Sequence, residues 1–376
     1  MSGPELLVDL SELVDRRFVC LEDCQLCCLC QPELLESEIP SFKKNFPQLL
    51  VTRRSPHQHT AIALKKGSGP CAFLDERRCA IYPNRPHYCR QFPFHVHLST
   101  RVQVELDLSC RGVWSGEGED ATPLAMQLIE DNRLAVRKAL EQSKEVYGQF
   151  HRNCREAGIE CYADDLRREF VGQLEHMADP AFLGWMLERS MEDEELDLNN
   201  GRTDLAQTDE LKEELRKAAM EMALESLSSQ DPLSAPVYCD ARGMWNIFMS
   251  VDGELDMYVM QESGEMERTR GINPNKVPLM APVGLGKKLF QDYMRVLNGR
   301  DSLLGHAYYL LDDYGYDDPF PNVYYGVLSA AALDLLWRAS LLSYIHGGEL
   351  DEKGVREGII FYDMDRLDAP TIGAFI

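Results

Sequence analysis

The sequence predicts an α+β protein: a small cysteine-rich metal-binding module, followed by a larger, mostly α-helical region with a short antiparallel sheet. Three observations predict it. Nine of the 12 cysteines lie between Cys20 and Cys110. Apolar residues recur at helical spacing from Thr122 onward. Two stretches, 94–109 and 237–261, have the alternating character of strands. The expected division is a metal-binding module over 1–118 and a mostly helical region over 119–376, with a β-hairpin around 237–262.

In chain order, residues 1–19 read as a short lead-in and 20–30 as a dense cysteine cluster. Residues 31–48 predict a helix around Pro32–Ser37, broken by Pro40 and Pro47. Leu49–Leu64 suits strands, and Gly67-Ser-Gly-Pro70 a turn. Phe94–Leu98 and Val102–Leu108 alternate, and Gly112–Gly118 forms a glycine-rich exit. Leu124, Leu128, Leu134, Val136, Leu140 and Val146 predict one long helix over Thr122–Glu156. Further helices are expected at Asp164–Met177, Ala181–Ser190 and Asp209–Leu227, with an acidic loop over Met191–Thr203 containing Asn199-Asn-Gly201. Pro232 and Pro236 mark a break. Asp252-Gly253 is a good two-residue hairpin turn between Asn246–Val251 and Leu255–Gln261. Gly284–Leu297, Leu303–Asp312 and Tyr324–His346 close the set as helices.

Charge is unevenly spread. Residues 1–116 carry 14 Lys+Arg against 13 Asp+Glu, whereas the remainder carries 25 against 49, for a net charge of −23 overall. An acidic body repels phosphate backbones, so nucleic acid is not the expected partner. Glu5, Asp9, Glu12 and Asp15 interrupt any apolar leader. The longest apolar window, Val327–Tyr344, contains Asp334 and Arg338 and reads as a buried helix rather than a membrane span. The expected location is the cytoplasm. In a reducing compartment, clustered cysteines point to metal ligation rather than disulfides.

The candidate ligands are Cys20, Cys24, Cys27, Cys28, Cys71, Cys79, Cys89 and Cys110. The two-residue spacing of Cys24 and Cys27 lets both thiolates wrap one metal or two corners of one cluster. Cys28 leaves the backbone in another direction and suits another iron or a separate site. Cys30 completes no further pair. Cys154, Cys161 and Cys239 sit in or beside helix- and strand-like segments and are expected to pack as small apolar residues. His87, His95 and His97 are secondary nitrogen donors. A tetrathiolate site around a dication carries excess negative charge, which Arg77, Arg78, Arg85, Arg90 and Arg111 are placed to offset.

The run Cys71-Ala-Phe-Leu, then Cys79-Ala-Ile-Tyr-Pro-Asn-Arg-Pro86-His-Tyr-Cys89-Arg-Gln-Phe-Pro93, resembles the signature of the YkgJ-type cysteine-cluster family. The upstream cluster resembles that family's C-x-x-C-x-x-C-C, and Cys110-Arg-Gly112 its closing C-x-G. Here three residues, Leu21-Glu-Asp23, separate Cys20 from Cys24 where the family has two. The resemblance covers about residues 18–118 and implies a zinc- or iron-chelating domain, with many members described as iron–sulfur proteins.

No G-x-G-x-x-G, P-loop, H-E-x-x-H or G-x-S-x-G occurs. Cys20, Cys24 and Cys27 match the radical-SAM spacing, but no repeating βα pattern follows and that reading leaves Cys28, Cys71, Cys79 and Cys89 without roles. Scattered ligands joined by long loops favour a [4Fe–4S] cluster over zinc, with zinc as the alternative cofactor. The expected function is metal binding, with an iron–sulfur cluster used in redox or partner-dependent chemistry and a protein partner. Two alternatives stand beside it. One is a protein-modifying enzyme resembling flagellin lysine methylases, with a pocket near the aromatic-acidic segment His306–Tyr325. The other is a structural zinc module on an interaction protein.

Overall fold

Phe94–Leu98 and Val102–Leu106 form the antiparallel pair that their alternation predicts, with Val96 opposite Val104. The computed structural model describes residues 6–54, 58–200, 208–229, 235–251 and 253–375, and puts this hairpin at the centre of a four-stranded sheet. Val8–Asp9 joins one edge in parallel, and Ala374–Phe375 joins the other edge antiparallel. Both faces of Val102–Leu106 are buried, so its polar residues need partners. Gln103 accepts from the Asp301 backbone N–H at 2.5 Å, and Glu105 accepts from the Ser302 backbone and hydroxyl at 2.9 and 2.5 Å. Arg300, 1% exposed, bonds Glu12, Asp363 and the Leu106 carbonyl. Buried charges of this kind are tolerable only when paired, and here the pairing ties Glu12 and the strand Val102–Leu106 to Arg300–Ser302 and Asp363.

The cysteine-bearing region adds separate two-stranded pairs. Leu50–Arg53 pairs with His59–Ile62, and Leu74–Asp75 with Arg78–Cys79. The helix expected over Pro32–Ser37 is instead Ile39–Asn45. Pro40 sits in its first turn, where a missing N–H costs nothing, so the proline starts the helix rather than breaking one.

The long helix expected over Thr122–Glu156 is two, Ala121–Asp131 and Arg133–Ala157. Asn132 leaves helical geometry at φ −112° and its side chain takes up the Leu128 carbonyl at 2.8 Å. Ala163–Gly172, Pro180–Arg189 and Asp209–Leu227 follow. The four-stranded meander comprises Val237–Cys239, Trp245–Val251, Glu254–Met260 and Met266–Ile272. Val251 pairs with Glu254, the register of a two-residue turn, and Gly253 has φ +80°; Asp252 lies outside the described residues, as do Gly201 and Pro232. Leu285–Gly299, Asp301–Asp313, Phe320–His346 and Glu352–Leu367, with the short His87–Gln91, complete 11 α-helices among the described residues.

Phe320–His346 is long and apolar enough to cross a membrane by length and composition, and 83% of its apolar window is buried inside the fold. It packs against Pro180–Arg189, Asp209–Leu227 and Glu352–Leu367. Its buried Arg338 pairs with Asp334 at 2.7 Å and with Asp365.

Candidate metal centre

Each cysteine is delivered by a local backbone device. Arg17–Phe18 pairs with Glu119–Asp120, which sets the start of the cluster beside Cys110 and the exit loop. The approach is close: a Cβ at Gly112 would stand 1.9 Å from the Val19 carbonyl oxygen, so only glycine fits. Gln25, at φ +51°, turns the chain into a short 3-10 segment, Leu26–Cys28. Leu26 is buried, and Cys28 packs against the apolar cluster it belongs to.

The Cys71 backbone N–H donates to the Cys28 carbonyl at 2.7 Å, which closes the second cysteine run onto the first. Cys79 pairs with Leu74 across a hairpin whose turn residues, Glu76 and Arg77, both have positive φ. Cys89 lies on the short helix His87–Gln91.

Together these devices gather all eight predicted cysteines around two small adjoining cavities. One is lined by Cys27, Cys28, Cys71, Cys79 and Cys89, together with Cys20 and Cys30. The other is lined by Cys20, Cys24, Cys27, Cys89 and Cys110. Cys27 and Arg85 line both. The donor set, many thiols around enclosed space, fits a soft metal or an iron–sulfur cluster. Among the described residues, no three His, Cys, Asp or Glu groups converge closely enough to hold one ion as they stand.

Residues 19–111 match a family model, CxxCxxCC, described as "Putative zinc- or iron-chelating domain". The segment is similar to that domain, and the match does not extend to the rest of the chain. No curated protein and no solved structure matches the chain.

The electrostatics of the matched segment fall into two groups. Arg85 acts on Cys20, Cys27, Cys79 and Cys89, whereas Arg77 and Arg111 act on Cys24. Arg78 turns outward toward Glu22, and Arg90 toward Glu38. Burial pushes the Cys71 thiol up to about 11. Cys24 moves the other way, to about 6, chiefly because the Cys239 thiol hydrogen-bonds its sulfur. A bound dication reverses the first trend by deprotonating its ligands outright.

Neither small cavity is lined by a histidine. His97 reaches Thr371 at 3.4 Å, and His95 stands 3.7 Å from Asp107. His95 instead lines an open cleft of about 510 Å³ that also touches Cys27, Cys30, Cys89, Tyr88 and Asp368.

Cys154 and Cys161 are 3.6 Å apart in the helical region. Cys239, expected only to pack, lies 3.7 Å from Cys24, sulfur to sulfur. It belongs to the meander, 215 residues away in sequence, and no spacing motif could have announced it.

Proposed function

We propose that the matched segment holds an iron–sulfur cluster, of the [4Fe–4S] type, that exchanges electrons with a protein partner in a reducing compartment. The observation that carries this reading is the ring of cysteines from three chain segments around one enclosed cavity, without any three converging on a point. A single ion asks its ligands to converge; a cubane takes one cysteine per iron and spreads them around a larger body. Cys28, Cys71, Cys79 and Cys89 are the ligands assigned to it.

Bound there, the cluster would supply one-electron chemistry. The surrounding residues do the rest. Phe73 and Ile81 line the cavity and keep it dry, while Arg85 offsets thiolate charge. The open cleft beside Cys27 and Cys89 gives a partner a route to within a side chain of the centre, and Tyr88, 39% exposed, offers it an apolar contact.

Within the aromatic-acidic segment of the methylase-like alternative, Tyr308, Phe320, Tyr324 and Tyr325 are buried in the helical core, whereas Tyr314 is exposed and lines, with His306 and Asp318, a cleft of about 880 Å³.

Anaerobic purification and reconstitution test the proposal. The expected product is brown, contains acid-labile sulfide and gains a paramagnetic signal on reduction. A colourless protein that takes up zinc and no sulfide would set the cluster aside.

A further inference from the structure

The cleft of about 880 Å³ runs along one face of Phe320–His346. Asn322 and Arg338 both line it, and at 1.5 Å per residue they stand about 24 Å apart along that helix. The two ends differ in character. Arg338, Tyr362, Arg366 and His306 line one, and Tyr314 and Asp318 the other, beside Asn322. Val323, Val327 and Ala331 form an apolar wall between them.

At the Arg338 end most polar groups are committed. Arg338 bonds Asp334 at 2.7 Å and also Asp365, which occupies both carboxylates. His306 donates its Nδ1–H to the Pro370 carbonyl at 2.6 Å. Burial and the nearby Arg366 hold its imidazole neutral, down at about 4. Two groups are uncommitted. The Nε and Nη2 of Arg366 are buried and meet no hydrogen-bond acceptor among the described residues, which leaves Nη1 as the donor open to the cleft. Of the groups acting most strongly on Arg366, the Arg300 guanidinium opposes its charge, and the only carboxylate is Glu105, which is bonded to Ser302. A guanidinium does not give up its proton, and a buried charge without a counter-ion opposes folding. Tyr362, 3% exposed, lies in the field of Arg366, and no side-chain hydrogen bond holds its hydroxyl among the described residues. Among the described residues lining the cleft, Arg366 is thus the one cation without a counter-ion.

We propose that this cleft binds a monocarboxylate with an apolar chain, its carboxylate on Arg366 and the Tyr362 hydroxyl and its chain along Val323, Val327 and Ala331. The surrounding charge selects a single anionic group. Asp318 at the far end repels a second carboxylate, and Asp334 and Asp365 beside Arg338 disfavour the extra charge of a phosphate. The site lies in the helical region, outside the matched segment, and stands apart from the metal reading.

Isothermal titration calorimetry of the full-length protein with octanoate tests the proposal. Saturable binding is expected, with suberate, octyl phosphate and octanol each weaker by about tenfold or more. Arg366→Met should weaken octanoate binding by about tenfold to a hundredfold. It should also raise the melting temperature of the ligand-free protein, because it removes an unpaired buried charge. A purely structural arginine gives the reverse, a lower melting temperature with unchanged affinity, and that result overturns the proposal. So does a wild-type chain that shows no saturable octanoate binding, or that binds octanol as tightly. Octyl phosphate bound as tightly as octanoate overturns the carboxylate class. Should Arg366→Met fail to fold, Ala330→Phe decides the matter by narrowing the apolar middle of the cleft: lost octanoate binding is expected, and unchanged affinity overturns the proposal.

Discussion

At the scale of single residues, buried titratable groups set how the fold responds to pH. His97 is fully buried, and burial holds its imidazole down at about 4, against an ordinary value near 6.5. The Asp301 carboxylate opposes this and the Arg167 guanidinium reinforces it. The native state therefore keeps His97 neutral while the unfolded chain protonates. Stability is intact above pH 6.5, falls as pH drops below it, and has lost about 3 kcal/mol from this group once pH reaches 4. Urea unfolding of His97→Gln across that window should show a flatter pH dependence than wild type; an unchanged slope would mean that the ring is not neutral in the fold. The sequence showed His97 only as a donor near cysteines. Its burial depends on Thr371 and Gly373, where a Cβ would stand 2.3 Å from the ring nitrogen, and nothing local announces a contact 274 residues away.

At the scale of elements, the turn joining Val237–Cys239 to Trp245–Val251 governs how the meander meets the cysteine cluster. Gly243 has φ +74°, and a Cβ there would lie 2.3 Å from the Asp23 carbonyl oxygen. Gly243→Ala meets both the strained backbone and the clash, so it should destabilise by about 1–3 kcal/mol. It should also displace Asp23 and, with it, Cys24. Chemical denaturation and metal per chain check the two effects; retention of wild-type values in both would show that the turn does not seat the strand. Elements with a clean period were legible: Asp209–Leu227 has the bounds its pattern predicts, and the strand pairs at 50–62 and 94–106 lie where alternation put them. Met266–Ile272 was missed because five of its seven residues are exposed, which leaves no alternation to read. Glu352–Leu367 was missed although Asp351 caps it, since its apolar residues are clustered rather than evenly spaced. The motif cysteines were legible because local spacing encodes them. Cys239 was not, because tertiary packing alone brings it to Cys24.

At the scale of the whole molecule, the first hundred residues depend on partners from the far end of the chain. Leu108 donates its backbone N–H to Asp363 at 2.7 Å, Glu12 is paired with Arg300, and Phe94–Leu98 takes its outer strand from Ala374–Phe375. A fragment of residues 1–118 would take Arg300 from Glu12 and Ser302 from Glu105, leaving carboxylates that are uncompensated where buried, each costing several kcal/mol. Its thermal unfolding, followed by circular dichroism with metal present, should therefore lack a cooperative transition, and a sharp melt would show that metal alone organises it. The outer strand carries a consequence for synthesis. Chain growth of about 5–20 residues per second means that roughly 10–50 s separate the emergence of Cys110 from that of Phe375. Throughout that interval nine reduced thiols stand on a nascent chain whose sheet lacks an edge. The cysteine-bearing segment is thus made well before the strand that completes its sheet, and that sheet closes only once Ala374–Phe375 has emerged.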